Sequence, residues 1–142
     1  MRSYTKWFIR VAAVYLMIGV FIGSDMAGRK DYSIIPVHSH ILVLGWLSMF
    51  AFGIFYYLFT PGMLKLSKLQ AWTSLLGGTT MPIGFLLYIK AENAATLGVF
   101  IGTASLLLIG VVLFVLITLF DKKVFGPKET GQQLQDPKTA TF

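Results

Sequence analysis

The chain has 142 residues, of which 56% are hydrophobic, 15% aromatic and only 13% charged, and its mean hydropathy is +0.73. This composition argues against a soluble globular domain, whose charged fraction is about twice as large, and the aromatic content argues against disorder. The absence of cysteine excludes disulfides, thiolate metal sites, iron–sulfur clusters and covalently attached c-type heme. The net charge is +6, but the cations are scattered along the chain, so we expect no nucleic-acid partner.

The sequence contains four long apolar stretches, at about 7–26, 35–59, 71–90 and 94–120. Each approaches or exceeds the ~20 residues that a helix needs to cross a bilayer. The connections between them are short, which predicts antiparallel neighbours. We therefore expect an all-α, four-helix transmembrane bundle of up-down-up-down topology over 1–120. The tail, 121–142, has no periodicity and little apolar mass, and we expect it to be mobile and cytoplasmic.

The distribution of Lys and Arg predicts the orientation of the bundle. Nine of the twelve lie on the side of the two chain termini, and three, Arg29, Lys30 and Lys90, lie on the other side. Because cytoplasmic segments carry an excess of Lys and Arg, both termini are predicted to lie in the cytoplasm. The protein is then a multi-pass protein of the plasma (inner) membrane.

Two histidines, His38 and His40, open the second apolar stretch at its outer end. Pro36 is suited to the first turn of a helix, so both histidines are expected to be helical. Residues two apart on a helix point about 200° apart, so the pair cannot chelate one small metal ion, and no zinc or copper centre is expected in one chain. The alternative is that both are interfacial residues among lipid headgroups, or that one is buried and bonded to a hydroxyl.

A b-type heme requires only one or two neutral imidazoles and an apolar slot, without an acidic ligand. Steps of three or four residues from His38 trace an apolar stripe with small residues that would accept a flat macrocycle: Leu42, Gly45, Met49, Phe52 or Gly53, and Tyr56. Ordinary helix packing explains the same stripe equally well.

Heme propionates also require cations or hydrogen-bond donors at the membrane surface. Arg29 and Lys30 lie one short loop before His38 and are candidates for this role. The alternative is a solvated loop in which Asp25 and Asp31 neutralise the two cations.

The run 28–40, GRKDYSIIPVHSH, followed by the pair Tyr56-Tyr57, resembles the loop and second helix of the catalytic subunit of heme-copper oxidases. C-type oxidases and bacterial nitric oxide reductases are the most similar members. The segment from His38 to Trp46 also resembles small, unattached membrane proteins related to that subunit. The resemblance implies that His38 is an axial ligand of a low-spin heme, on a helix that enters the membrane from its outer side.

The resemblance covers about 30 of the 142 residues, and the family's subunit has many more spans. The copper ligands, the high-spin heme ligand and the second low-spin ligand are missing, so this chain alone is not a complete oxidase. His40 stands where the larger enzymes have Asn. Its role is therefore open: a second heme ligand, a ligand from a partner chain, or a hydrogen-bonding neighbour of the ligand.

The leading hypothesis is a membrane protein that binds heme b, or a modified heme, for electron transfer, quinol-linked redox chemistry or O₂ or NO binding. The sixth ligand would come from a second protomer in a homodimer or larger homo-oligomer, from Met26 or Met81, or from an exogenous gas or water. Besides the lipid bilayer, we expect a quinone or a respiratory complex as a partner.

The alternative hypothesis is a cofactor-free accessory or structural subunit of a respiratory membrane complex. Such a subunit would pack through glycine-rich faces, Gly77-Gly78 and the pair Gly98 and Gly102. A small transporter or pore is a third hypothesis, which the absence of Asp, Glu, Lys and Arg from the span interiors disfavours.

Overall fold

The computed structural model describes residues 2–126, with side chains from residue 4 onward. It contains four long helices, α1 (Arg2–Arg29), α2 (Ile35–Leu58), α3 (Leu64–Lys90) and α4 (Ala94–Phe120). No strand occurs in the described residues, so the all-α prediction is confirmed there. The helices α1 and α3 begin before the apolar stretches predicted at 7–26 and 71–90, because their first turns also include polar residues. The predicted mobile tail lies outside the described residues from 127 onward.

Three of the four helices, α1, α2 and α4, are long and apolar enough to cross a membrane. The helix α3 is of similar length but carries polar residues, and four of them are buried: Ser67, Gln70, Thr73 and Ser74. Of the four helices, α3 contacts all three others, whereas the backbone of α4 runs beside α3 alone. The neighbours of α3 therefore shield its polar side chains, which accounts for its lower hydropathy.

The helices form two antiparallel hairpins, α1 with α2 and α3 with α4. The loop between α3 and α4 is short because Asn93 caps α4: its Oδ1 accepts from the amides of Ala95 (2.9 Å) and Thr96 (3.0 Å). This is the connection that the sequence predicts at 90–93. The backbones of this hairpin approach closely at Gly77, where a Cβ atom would lie 2.7 Å from the Cα of Leu107.

Aromatic side chains join the two hairpins at one end of the bundle. Phe52 and Phe55 of α2 lie with ring centroids 4.8 and 4.9 Å from Phe114 of α4. Phe8 of α1 stacks on Tyr56 of α2, with centroids 6.1 Å apart. We call this end, where α1 begins and α4 ends, the basic end, and the opposite end, where α2 begins, the histidine end.

The helix α2 is not regular along its length. Ile35–His40 and Met49–Leu58 are α-helical, but Ile41–Ser48 forms a π-helix, in which backbone hydrogen bonds join residues five apart. The prediction of a uniform helical spacing from His38 to Tyr56 is therefore wrong over these eight residues. Such segments are rare and occur frequently at functional sites.

Candidate functional site at the histidine end

Both histidines lie in the first α-helical part of α2, with Pro36 in its first turn as predicted. Their rings leave the helix in different directions, also as predicted. His38 contacts α1 at Gly23, and His40 contacts α3 at Phe85. Hence the two imidazoles face different helices and do not converge on one point within the chain.

The ring of His38 is held between α1 and α2. A Cβ atom at Gly23 would lie 3.0 Å from its Cε1 and 3.4 Å from its Nε2, so glycine leaves the space that the imidazole fills. The Nδ1 atom is buried and has no hydrogen-bond partner among the described residues. The predicted alternative of a buried histidine bonded to a hydroxyl is therefore not found at this nitrogen, and an unsatisfied buried polar atom costs about 1–3 kcal/mol.

His40 has a defined tautomer. Its Nδ1 lies 2.6 Å from the carbonyl oxygen of Pro36. Because a carbonyl oxygen only accepts, Nδ1 must carry the proton, and in the neutral imidazole the lone pair is then on Nε2. Histidines that bind metals usually donate their other ring N–H to a carbonyl or carboxylate in this way. The geometry favours His40 over His38 as an iron ligand, whereas the resemblance implied His38.

The ring of His40 rests edge-on against Phe85, with centroids 5.0 Å apart. Phe85 in turn stacks on Phe100 of α4 at 4.7 Å, and Phe100 stacks on Tyr88 at 6.1 Å. These rings hold His40 at the boundary between the two hairpins.

The predicted apolar stripe makes helix–helix contacts. Gly45 faces Tyr15 of α1, whose Cγ would lie 2.6 Å from a Cβ at that position. Met49 is buried against Gly78 of α3. Tyr56 lies farther along α2, at the basic end. These three residues therefore do not line an open slot in the described chain, and a porphyrin at this position would have to displace α1.

Tyr56 is the most polar member of the stripe, and its hydroxyl lies within hydrogen-bond distance of two atoms of α3. It donates to the Oε1 of Gln70 (2.8 Å) and lies 3.1 Å from the carbonyl oxygen of Ser67. The Nε2 of Gln70 donates to the Oγ of Ser74 (3.0 Å). Sequence analysis missed this network, although polar residues at 67, 70 and 74 share one helical face.

A cavity of about 140 Å³ lies between the end of α1, the loop that follows it and the end of α3, and its lining includes Met26, Arg29, Asp31 and Lys90. Its volume is well below the ~300–1,000 Å³ of small-molecule sites. Arg29 forms an ion pair with Asp25, as the solvated-loop alternative predicts. A hydrogen bond from the backbone of Ser33, together with nearby Arg29 and Lys90, lowers the pKa of Asp31. The cations here therefore already have carboxylate neighbours.

Lys30 has a backbone role that the sequence did not predict. Its φ is 54°, in the left-handed region that favours glycine. The amide of Asp31 donates to the carbonyl of Met26 (3.2 Å), and that of Lys30 lies 3.4 Å from the carbonyl of Ala27. This is the Schellman pattern that ends a helix, with lysine in the position usually taken by glycine.

No group of three or more His, Cys, Asp or Glu side chains within residues 2–126 is arranged to hold a metal ion. Met26 and Met81, the methionines considered as a sixth ligand, are both buried. No protein-family model matches the chain, and no curated protein or solved structure is significantly similar to it. These comparisons do not link the chain to heme-copper oxidases.

The residues present meet the requirements of a heme in part. His40 offers an oriented imidazole with a proton-free Nε2 when neutral. The packed stripe and the 140 Å³ cavity offer no space for a porphyrin inside one chain. A heme would therefore have to lie on the outside of the bundle.

Proposed function

We propose that the protein is a four-span membrane protein that binds a b-type or modified heme through His40, at an interface between two copies of the chain. The observation that carries this proposal is the contact between the Nδ1 of His40 and the carbonyl of Pro36, which directs the lone pair to Nε2. The heme would supply one-electron transfer, with a quinol or another redox partner, or O₂ or NO binding. The chain would supply the axial imidazole and hold its orientation.

A second copy is part of the proposal because one chain offers only one such imidazole. His38 is enclosed between α1 and α2 on a different side of the helix. In a dimer with two-fold symmetry, a residue meets its own equivalent only beside the axis. The proposal therefore places His40 next to the axis, where each copy would offer its imidazole to the same iron. We therefore expect one heme for two chains.

The four-span topology and the orientation belong to the same proposal. The shielding of α3 by its neighbours supports a fourth span despite its polar residues. The nine-to-three distribution of Lys and Arg supports cytoplasmic termini in the plasma membrane. A reporter fused after Phe142 should be active only in the cytoplasm, and activity outside would place the histidine end at the inner face.

The decisive experiment is the absorption spectrum of protein purified from heme-replete cells, with a pyridine-hemochrome assay and a measured heme-to-chain ratio. We expect a b-type spectrum in the unmodified protein and loss of most of the heme in His40→Ala. The matched control is His38→Ala, which removes an imidazole two residues away and should retain the heme.

Three results would contradict the proposal. A colourless unmodified protein would exclude a resident heme. Loss of heme in His38→Ala with retention in His40→Ala would return the ligand role to His38, as the resemblance implies. One heme for each chain would contradict a heme shared between two copies.

The second candidate function is a cofactor-free accessory subunit of a respiratory complex. It is favoured by Gly98 and Gly102, which lie four residues apart on α4. A Cβ atom added at either position would meet no atom of a neighbouring helix within 4 Å. In contrast, Leu107 occupies the space beside Gly77, and Met49 occupies the space beside Gly78, so neither glycine is available to a partner. Small residues at this spacing allow close approach of another membrane helix. A colourless protein that migrates with a larger complex, and separates from it in Gly98→Ile/Gly102→Ile, would support this function.

A further inference from the structure

The basic end carries six exposed cations from three separate segments of the chain: Lys6, Arg10, Lys65, Lys68, Lys122 and Lys123. The described residues contain four carboxylates, and three of them, Asp25, Asp31 and Glu92, lie at the histidine end. Asp121 is therefore the single described carboxylate at the basic end. The net charge of this surface therefore depends on whether Asp121 is ionised and whether it forms ion pairs with these cations.

Asp121 is only 7% exposed, and its oxygens are used inside the protein. Its Oδ2 accepts from the amide of Met63 (2.7 Å), and its Oδ1 accepts from the amide of Lys123 (3.0 Å). Burial opposes ionisation of Asp121, but hydrogen bonds from the backbone of Met63, Lys123 and Gly62 outweigh it and lower its pKa. Asp121 therefore offsets one positive charge and forms none of the surface ion pairs.

The same contacts bring two of the cationic segments together. Asp121 joins the end of α4 to the start of α3, and the side chain of Lys123 lies over Gly62, where a Cβ atom would be 2.8 Å from its Cδ. The first turn of α3 contains no acidic residue and no side-chain cap, and Lys65 lies in it. Because the N-terminal end of a helix is itself positive, this lysine adds to an unfavourable field. Residues 2–126 supply no ion-pair partner for it.

Exposed aromatic side chains surround this surface, among them Trp7 (55% exposed), Tyr57 (73%) and Phe125 (72%). Tryptophan and tyrosine are enriched where a membrane protein crosses the headgroup region. Since three helices of membrane-spanning length begin or end here, the cations lie at the level of lipid headgroups. Anionic lipid headgroups are therefore the nearest available counter-ions.

We propose that the basic end is a binding surface for the phosphates of anionic phospholipids, held between the start of α3 and the end of α4. Clusters of four to eight Lys and Arg next to membrane helices attract such lipids. Zwitterionic lipids carry no net charge and would leave the surface uncompensated. This inference rests on the membrane-spanning helices and does not depend on heme.

The test is native mass spectrometry of the purified full chain, together with its unfolding midpoint, after addition of phosphatidylglycerol or phosphatidylcholine. We expect retained phosphatidylglycerol and a raised midpoint at 0.05 M salt, with little effect of phosphatidylcholine. In Lys65→Gln/Lys68→Gln/Lys122→Gln/Lys123→Gln, the preference should fall about tenfold or more. The matched control removes the three cations of the histidine end, in Arg29→Gln/Lys30→Gln/Lys90→Gln, and should keep the preference.

Equal retention of the two lipids by the unmodified protein, or an equal loss in the control, would overturn the proposal. Inorganic phosphate that raises the midpoint as much as the lipid would assign the surface to a soluble anion instead. If the fourfold variant does not fold, Lys65→Gln/Lys68→Gln tests the same surface without touching the segment that contains Asp121. The unmodified protein should also lose its lipid preference at 0.5 M salt, because exposed charges are then screened.

Discussion

The two ends of the bundle differ in what joins the hairpins. At the basic end, Tyr56 of α2 bonds to Gln70 of α3, and Phe52 and Phe55 enclose Phe114 of α4. At the histidine end, the rings of His40 and Phe85 meet edge-on, and Lys90 of α3 lines one cavity with Arg29 of α1. A buried hydrogen-bond network and large rings therefore join the hairpins at one end, whereas an imidazole–phenyl contact and a small cavity lie between them at the other.

Both ends carry buried polar atoms without a partner in the described chain, but the left-handed non-glycine residue lies at the histidine end. His38 has a buried Nδ1 without a partner, and Lys30 has a left-handed backbone. At the basic end, the buried Oγ1 of Thr5 and Oγ of Ser67 likewise have no partner among the described residues, although Ser67 lies beside a bonded network. Unsatisfied and strained groups persist where the rest of the fold holds them in place, and they are concentrated at functional sites. The clearest difference between the two ends is therefore the hydrogen-bond network and the buried rings of the basic end.

The largest loss of stability is expected when the hydrogen-bond network at the basic end is removed. Gln70→Leu deletes the bonds to Tyr56 and Ser74 and leaves the Tyr56 hydroxyl with only the carbonyl of Ser67. We expect a loss of about 2 kcal/mol in the free energy of unfolding, measured by reversible unfolding in mixed micelles. Thr80→Ala is the control, since the hydroxyl of this exposed residue bonds only to a carbonyl of its own helix. Equal free energies of unfolding for the two variants would show that the network at the basic end does not stabilise the protein.

Much of the fold could be predicted from the sequence. Apolar length predicts the helices, Pro36 predicts the helical start of α2, and the two-residue spacing predicts that His38 and His40 diverge. These features depend on local chemistry and on the geometry of one helix. They can be predicted without knowing which other helices lie nearby.

What the sequence left open depends on tertiary contacts. The same spacing predicts a cofactor slot or a packed face, and only the position of Tyr15 opposite Gly45 decides between them. The π-helix at Ile41–Ser48 has no clear signature among apolar residues, yet it alters the register of the stripe. The choice between His38 and His40 rests on a hydrogen bond to Pro36, whose presence depends on the rotamer of one ring.

A smaller effect is expected at Asp121, which joins α3 and α4 at the basic end. Because its pKa is lowered in the folded protein, its contribution to stability is present above the ordinary aspartate pKa near 3.8 and is lost as the pH falls through the folded value. Asp121→Asn should lower the free energy of unfolding by about 1 kcal/mol at pH 7 and by less at pH 3. The control is Glu92→Gln, which removes an exposed carboxylate of the histidine end. The same pH-dependent loss in both variants would show that this contribution is not specific to the basic end.

The smallest expected effect is a gain in stability at the histidine end. In Lys30→Gly the left-handed backbone no longer conflicts with a Cβ atom, while the flexibility of glycine in the unfolded chain offsets part of the gain. We expect a net stabilisation of about 0.5–1 kcal/mol in the same unfolding assay. Lys30→Gln removes the same charge but keeps the Cβ atom, so it separates strain from electrostatics. If both variants are stabilised equally, the gain comes from removing the charge.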